Sequence, residues 1–239
     1  MKSRQEVKSI ARDAMRRQRG TAILLILLPM LVGMIIGMVS AISSVLFLAT
    51  IVGLFAYLII AWSGAAIAQV LQVNVIGEFI KLYKGEYADA GATVSNLGVN
   101  FWRKLGGTMW MALWITLWSL LLIIPGFIKM FSYWCTMNIL ADCPNVTARE
   151  ALKISMRITR GHKLDIFIFV LSFFGWFILS AFTFGIVGII FANPYFMTAD
   201  AGLYVELRQK ALDEGRITYE ELGMKPPVVD IYNVPLNHN

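Results

Sequence analysis

The chain has 239 residues, of which 58% are hydrophobic and only 15% charged, with a net charge of +6 and a mean hydropathy of +0.67. Soluble domains carry about 25% charged residues, and a soluble fold of this length could not hide so much apolar surface, so that class is excluded. The two cysteines, Cys135 and Cys143, fit neither a disulfide framework nor a zinc site and leave the redox compartment open.

Residues 1–20 form a basic amphipathic arm. Ser3 and Glu6 make a capping box. Arg4, Lys8, Arg12, Arg16 and Arg19 share one face, and Val7, Ile10, Ala11 and Ala14 share another, as expected of a helix along an inner leaflet. No Asp, Glu, Lys or Arg occurs from Gly20 to Gly77, from Leu105 to Ile128, from Met130 to Ala141 or from Ile166 to Ala199. A helical crossing needs about 20 such residues. Backbone at bilayer depth must bond within the protein, and these runs lack the alternation of a barrel, so the spans are helices. The first run is too long for a secretory signal and leads straight into another, which makes it a retained helix.

Charge sets the topology. Seven Lys and Arg lie in Lys2–Arg19, four in Lys81–Lys104, five in Arg149–Lys163 and four in Arg208–Lys225, leaving only Lys129 elsewhere. Basic residues collect on the cytoplasmic side of short loops, so each apolar stretch must go out and come back. The expected fold is all-α: a polytopic membrane bundle of about six transmembrane helices in three hairpins, with two amphipathic inner-surface helices. The spans are expected at 21–41, 46–76, 105–124, 127–142, 165–187 and 194–211, within a membrane domain of residues 21–212. Outer turns are expected at Ser40, Ser43 and Ser44, at Pro125 and Gly126, and at Asn193 and Pro194. The fourth helix is short, and a rival reading makes it part of one long kinked helix containing Lys129.

Residues 147–162 read as the second interfacial helix. Thr147 and Glu150 form its capping box and Gly161 its stop. Arg149, Lys153, Arg157 and Arg160 make one basic stripe opposite Ala148, Ala151, Leu152, Ile154 and Ile158. The stripe is a candidate contact for anionic lipid, although positive-inside topology alone also calls for basic flanks. No nucleic-acid-binding module is present, and nucleic acid is not an expected partner. The tail, residues 213–239, is polar and then proline-bearing, with a short helix expected around Thr218–Leu222 and an extended, loosely held remainder.

Asp200 is the candidate for intramembrane chemistry, about 9 Å along a helix from Pro194 at 1.5 Å per residue. A charge inside a span calls for a partner, a cavity or an ion path. Lys129, about one turn past Pro125, is the expected partner, as a proton- or substrate-binding pair or as a protonated acid beside a snorkelling lysine. Catalytic constellations are lacking: the histidines are His162 and His238 alone, and no nucleophile-elbow, phosphate-loop or dinucleotide fingerprint occurs, so no catalytic residue, metal or cofactor is expected. Gly33 and Gly37 have small-xxx-small spacing, suited to internal packing or dimerisation. Trp110, Trp114 and Trp118 mark one face of the third span as a packing or lipid-contact surface.

The stretch LWSLLLIIPGFIKMFSYWCTMNILAD, from Leu117 to Asp142, resembles a family of bacterial integral membrane proteins, domain of unknown function nine-seven-five. The segment from Arg149 to Leu207, the N-terminal EVKSIARDAM and the KGEYADA before Val94 resemble it as well, and a looser likeness extends to the membrane part of some glycerophosphodiester phosphodiesterases. The resemblance implies a multi-pass protein of the bacterial cytoplasmic membrane and brings no activity or catalytic residues. Asp200, where the family leads one to expect a small or apolar residue, and the tail after Leu212 depart from it. The expected function is a non-enzymatic accessory, immunity or lipid- or partner-binding component with both termini cytoplasmic. Its expected partners are membrane lipids and another membrane protein or a second copy. The alternative is a transporter of small solutes or amphipaths with a site near Asp200 and Lys129.

Overall fold

The computed structural model describes residues 2–47, 51–121 and 123–225. Among these the regular structure is entirely helical. In chain order the helices are α1 (Arg4–Arg17), α2 (Arg19–Phe47), α3 (Ile51–Lys84), α4 (Ala90–Ser95), α5 (Phe101–Leu121) and α6 (Ile123–Ser132). There follow α7 (Thr136–Asp142), α8 (Ala148–Ile158), α9 (Lys163–Leu171), α10 (Phe174–Phe182) and, after a π-helical turn at Gly188–Ala192, α11 (Asn193–Asp213). Among the described residues, three helical stretches are long and apolar enough to cross a membrane: Arg19–Ile42, Tyr57–Lys84 and Lys163–Phe182.

Each of the three apolar regions folds back on itself. α2 packs on α3, α5 on α6 and α7, and the α9–α10 arm is followed by a return through the π turn into α11. α11 holds the centre, touching α1, α2, α3 and α8. The densest packing lies at the basic end, where Val7, Ala11 and Met15 of α1, Phe79 and Ile80 of α3, Ile139 and Leu140 of α7, Ile154 and Ile158 of α8, and Tyr204 and Leu207 of α11 are buried. The far ends of the hairpins show their apolar side chains outward: Leu120 is 84% exposed and Phe184 98%. An exposed apolar belt of this extent is the surface expected of a protein solvated by lipid.

The local signals hold. Both capping boxes form, Ser3 with Glu6 and Thr147 with Glu150. Bonds from the Thr147 hydroxyl and backbone hold the Glu150 carboxyl below the usual glutamate range. Gly161, at φ +83°, supplies the stop after α8. α4, capped by Asp89, is an additional short helix in the loop between the first two hairpins.

Several boundaries differ from those expected. The serines at 40, 43 and 44 do not end the first helix, which continues to Phe47. Asn193 and Pro194 are not a turn either: the third hairpin reverses at 183–185, where Phe184 and Gly185 have positive φ, and Pro194 is accommodated in the first turn of α11. Pro125 and Gly126 lie inside α6, and a Cβ at Gly126 would come within 2.8 Å of Ser119 Cα, so only glycine allows this close approach of α6 to α5. The segment expected as a fourth span is broken at 133–135 between α6 and α7. There the Ser132 carbonyl accepts from the Ser155 hydroxyl at 3.0 Å and the Thr159 hydroxyl at 3.1 Å, which compensates the interrupted ladder.

The two amphipathic helices spend their apolar faces on the protein. α1 buries Val7, Ala11, Ala14 and Met15 against its neighbours α11 and α3, and α8 buries Ala151, Leu152, Ile154 and Ile158 among α5, α7 and α11. A Cβ at Gly33 or Gly37 would meet nothing within 4 Å, so this pair does not pack internally; the close approach of α2 and α3 is at Gly64 against Ile36. Residues 219–223 form hydrogen-bonded turns in place of the expected tail helix, and Ile217 and Leu222 are buried, so this part of the tail is held firmly. The proline-bearing remainder lies outside the described residues.

Candidate functional site

Asp200 and Lys129 do not pair. The return to α11 begins just after Gly185, which puts Asp200 about 20 Å along that arm at 1.5 Å per residue, well beyond the 9 Å implied by a start at Pro194. Lys129 is only six residues into α6. Asp200 accepts a 2.6 Å bond from Trp134 Nε1 and has Asn138 Nδ2 at 3.5 Å, both from the region around α7. Lys129 Nζ lies 5.0 Å from the Trp118 ring centroid and 5.8 Å from that of Tyr133, with Met156 Sδ at 4.0 Å.

The basic stripe of α8 is divided between two neighbours. Arg157 donates to the Glu221 carboxylate at 2.9 Å and 3.1 Å, so the tail occupies it. Arg216 donates to the carbonyls of Arg157, Ile158 and Arg160 at 2.8, 3.2 and 3.0 Å, closing the C-terminus of α8. The Arg160 side chain is exposed. Arg149 faces α5, its Cζ 5.2 Å from the Trp110 ring centroid. Trp110 and Trp114 meet edge to face at 5.9 Å. Together with Trp118, Lys129 and Lys153 these residues line a cavity of about 320 Å³ between α5, α6 and α8. Lys129, expected as the partner of Asp200, and Arg149 and Lys153 of the α8 stripe thus line one tryptophan wall.

A second polar assembly lies where α3, α5, α7 and α11 converge. Asp142 pairs with Lys84 at 3.1 Å and with Arg208, and accepts from the Tyr204 hydroxyl at 3.2 Å. Arg103 donates to the carbonyls of Leu140, Cys143 and Val146 at 2.6, 3.1 and 2.8 Å, capping α7. Lys104 bonds Asn74 Oδ1 at 2.6 Å, and Glu78 pairs with Lys81 and accepts from the Asp89 N–H at 3.0 Å. Of these, Asn74, Glu78, Lys81, Lys84, Arg103, Lys104 and Asp142 border a cleft of about 370 Å³. Apart from the Glu86 carboxylate, its charged groups already hold protein partners, which marks a structural lock. Among the described residues no three His, Cys, Asp or Glu gather as a metal site. The sequence signal for this lock was Arg208, a charge inside the expected 194–211 span that demanded a partner.

Residues 120–211 match a family model described as Protein of unknown function (DUF975), the family resembled by the sequence motifs. The match runs from the end of α5 through most of α11. No curated protein and no solved structure matches the chain.

Proposed function

We propose that this is a non-enzymatic protein of the bacterial cytoplasmic membrane that works by binding anionic lipid at its inner face. In this reading the three hairpins make six crossings, with both termini cytoplasmic. The observation that carries it is the convergence of the four basic segments. Arg4 pairs with Asp165 at 3.2 Å, Gln18 bonds the Glu86 carbonyl at 2.8 Å, Arg103 bonds the Val146 carbonyl, and Arg157 pairs with Glu221. Segments in mutual contact belong on one side of a bilayer, and a concentration of cations there attracts anionic headgroups.

The engagement of the acids supports a binding role over catalysis. Asp142 is held by two cations and a tyrosine, Glu78 by Lys81 and a backbone N–H, and Asp200 by neutral donors. His162 faces Asp165 at 3.0 Å, and both cysteines are buried. The transport alternative needs Asp200 and Lys129 on a common cavity, whereas the two face different neighbours. Native mass spectrometry of the protein released from mixed vesicles of phosphatidylglycerol and phosphatidylcholine tests the reading. Retention of phosphatidylglycerol in preference to phosphatidylcholine is expected; release of both lipids with equal ease refutes it.

A further inference from the structure

The geometry points to the cavity between α5, α6 and α8 as a discrete site for one anionic phospholipid, its phosphate set among Lys129, Arg149 and Lys153 and its apolar portion against Trp110, Trp114 and Trp118. This deepens the lipid-binding reading and rests on it. Three cations border the cavity and no acidic residue does. Of the neighbouring basic groups, Arg157 takes Glu221 and Arg216 takes three carbonyls of α8, while Arg160 and Lys163 border a separate cavity that Lys129 also reaches; elsewhere Lys84 and Arg208 take Asp142. Lys129 and Arg149 instead lie over aromatic rings, and Lys153 is exposed. An aromatic face stabilises a cation without neutralising it, so the positive field of this corner stays available to an anion.

The occupant follows from the two chemistries of the wall. Its lining is mostly apolar, with three indoles, Leu152 and Met156, which disfavours a free hydrated phosphate. The rim is cationic, which disfavours a neutral or zwitterionic lipid. A volume of about 320 Å³ is at the lower end of ligand cavities, enough for a phosphate group and the start of an acyl chain. The site exists only through tertiary structure: Trp110 belongs to the second hairpin and Arg149 to the amphipathic helix α8 that follows it, and Lys129 enters because α6 turns back over α5.

The test uses the full chain in nanodiscs, with Trp62, Trp102, Trp134 and Trp176 replaced by Phe so that only the three cavity tryptophans report. Phosphatidylglycerol or phosphatidylcholine brominated on the acyl chain is the quencher. Stronger quenching by the brominated anionic lipid is expected. Lys129→Gln, Arg149→Gln and Lys153→Gln together should weaken the relative association of that lipid at least about tenfold, since each cation near a lipid phosphate is worth roughly a fivefold factor. Arg157→Gln with Arg160→Gln, matched for total charge loss to within one unit, should leave the preference in place, and inorganic phosphate should not displace the lipid. Equal quenching by the two lipids, an unchanged preference in the triple variant, or displacement by inorganic phosphate each overturns the assignment. If native mass spectrometry retains phosphatidylglycerol while the triple variant behaves as the parent, this cavity is the wrong site and the broader reading stands. A thermal melt of each variant separates loss of binding from loss of fold.

Discussion

Replacing Asp142 by Asn should destabilise the bundle by about 3 to 5 kcal/mol, the range for removing one partner of a buried ion pair. The Asp142 side chain is only 10% exposed and that of Arg208 11%, so Arg208 would be left as an uncompensated charge away from solvent. Lys84, at 32% exposed, can turn outward and contributes little to the loss. The Tyr204 hydroxyl keeps an acceptor in the amide, which confines the effect to charge. Equilibrium unfolding in mixed micelles with increasing dodecyl sulfate, followed by tryptophan fluorescence, measures the change. Asp142→Asn combined with Arg208→Met should be less destabilised than Asp142→Asn alone, because the second change removes the stranded cation. A single variant within about 0.5 kcal/mol of the parent, or strictly additive losses in the pair, would refute the view of Asp142 as the electrostatic hub.

Two further outcomes follow from the packing and the topology. A Cβ at position 202 would overlap the Tyr83 ring where α11 crosses α3, so Gly202→Ala should cost about 1 to 3 kcal/mol in the same unfolding assay, whereas Gly33→Ala, facing open space, should not destabilise. In a background with Cys135 and Cys143 replaced by Ala, a single cysteine at Thr183 should react with a membrane-impermeant maleimide from outside the cell and one at Thr218 only from the inside; the reverse pattern would sink the six-crossing arrangement.

The sequence by itself determined the class of protein and its division into hairpins, because bilayer-length runs without charge and the placement of nearly all Lys and Arg between them are properties of composition along the chain. It also determined the starts of α1 and α8 and the stop after α8, since a capping box and a positive-φ glycine act within a few residues. Turn positions inside the apolar runs were not legible in the same way: Asn193–Pro194 carries the stronger local breaker signal, yet the reversal is at Phe184–Gly185 and the proline is absorbed at a helix start. That displacement moved Asp200 away from Lys129 and into the reach of Trp134. Only the tertiary structure decided which cations are neutralised and which remain available, because ion pairs such as Asp142–Arg208 and Arg157–Glu221 join residues more than sixty positions apart. Helical periodicity likewise gave α8 an apolar face, expected against the membrane surface; packing against α5, α7 and α11 covers it with protein instead, which periodicity alone does not reveal.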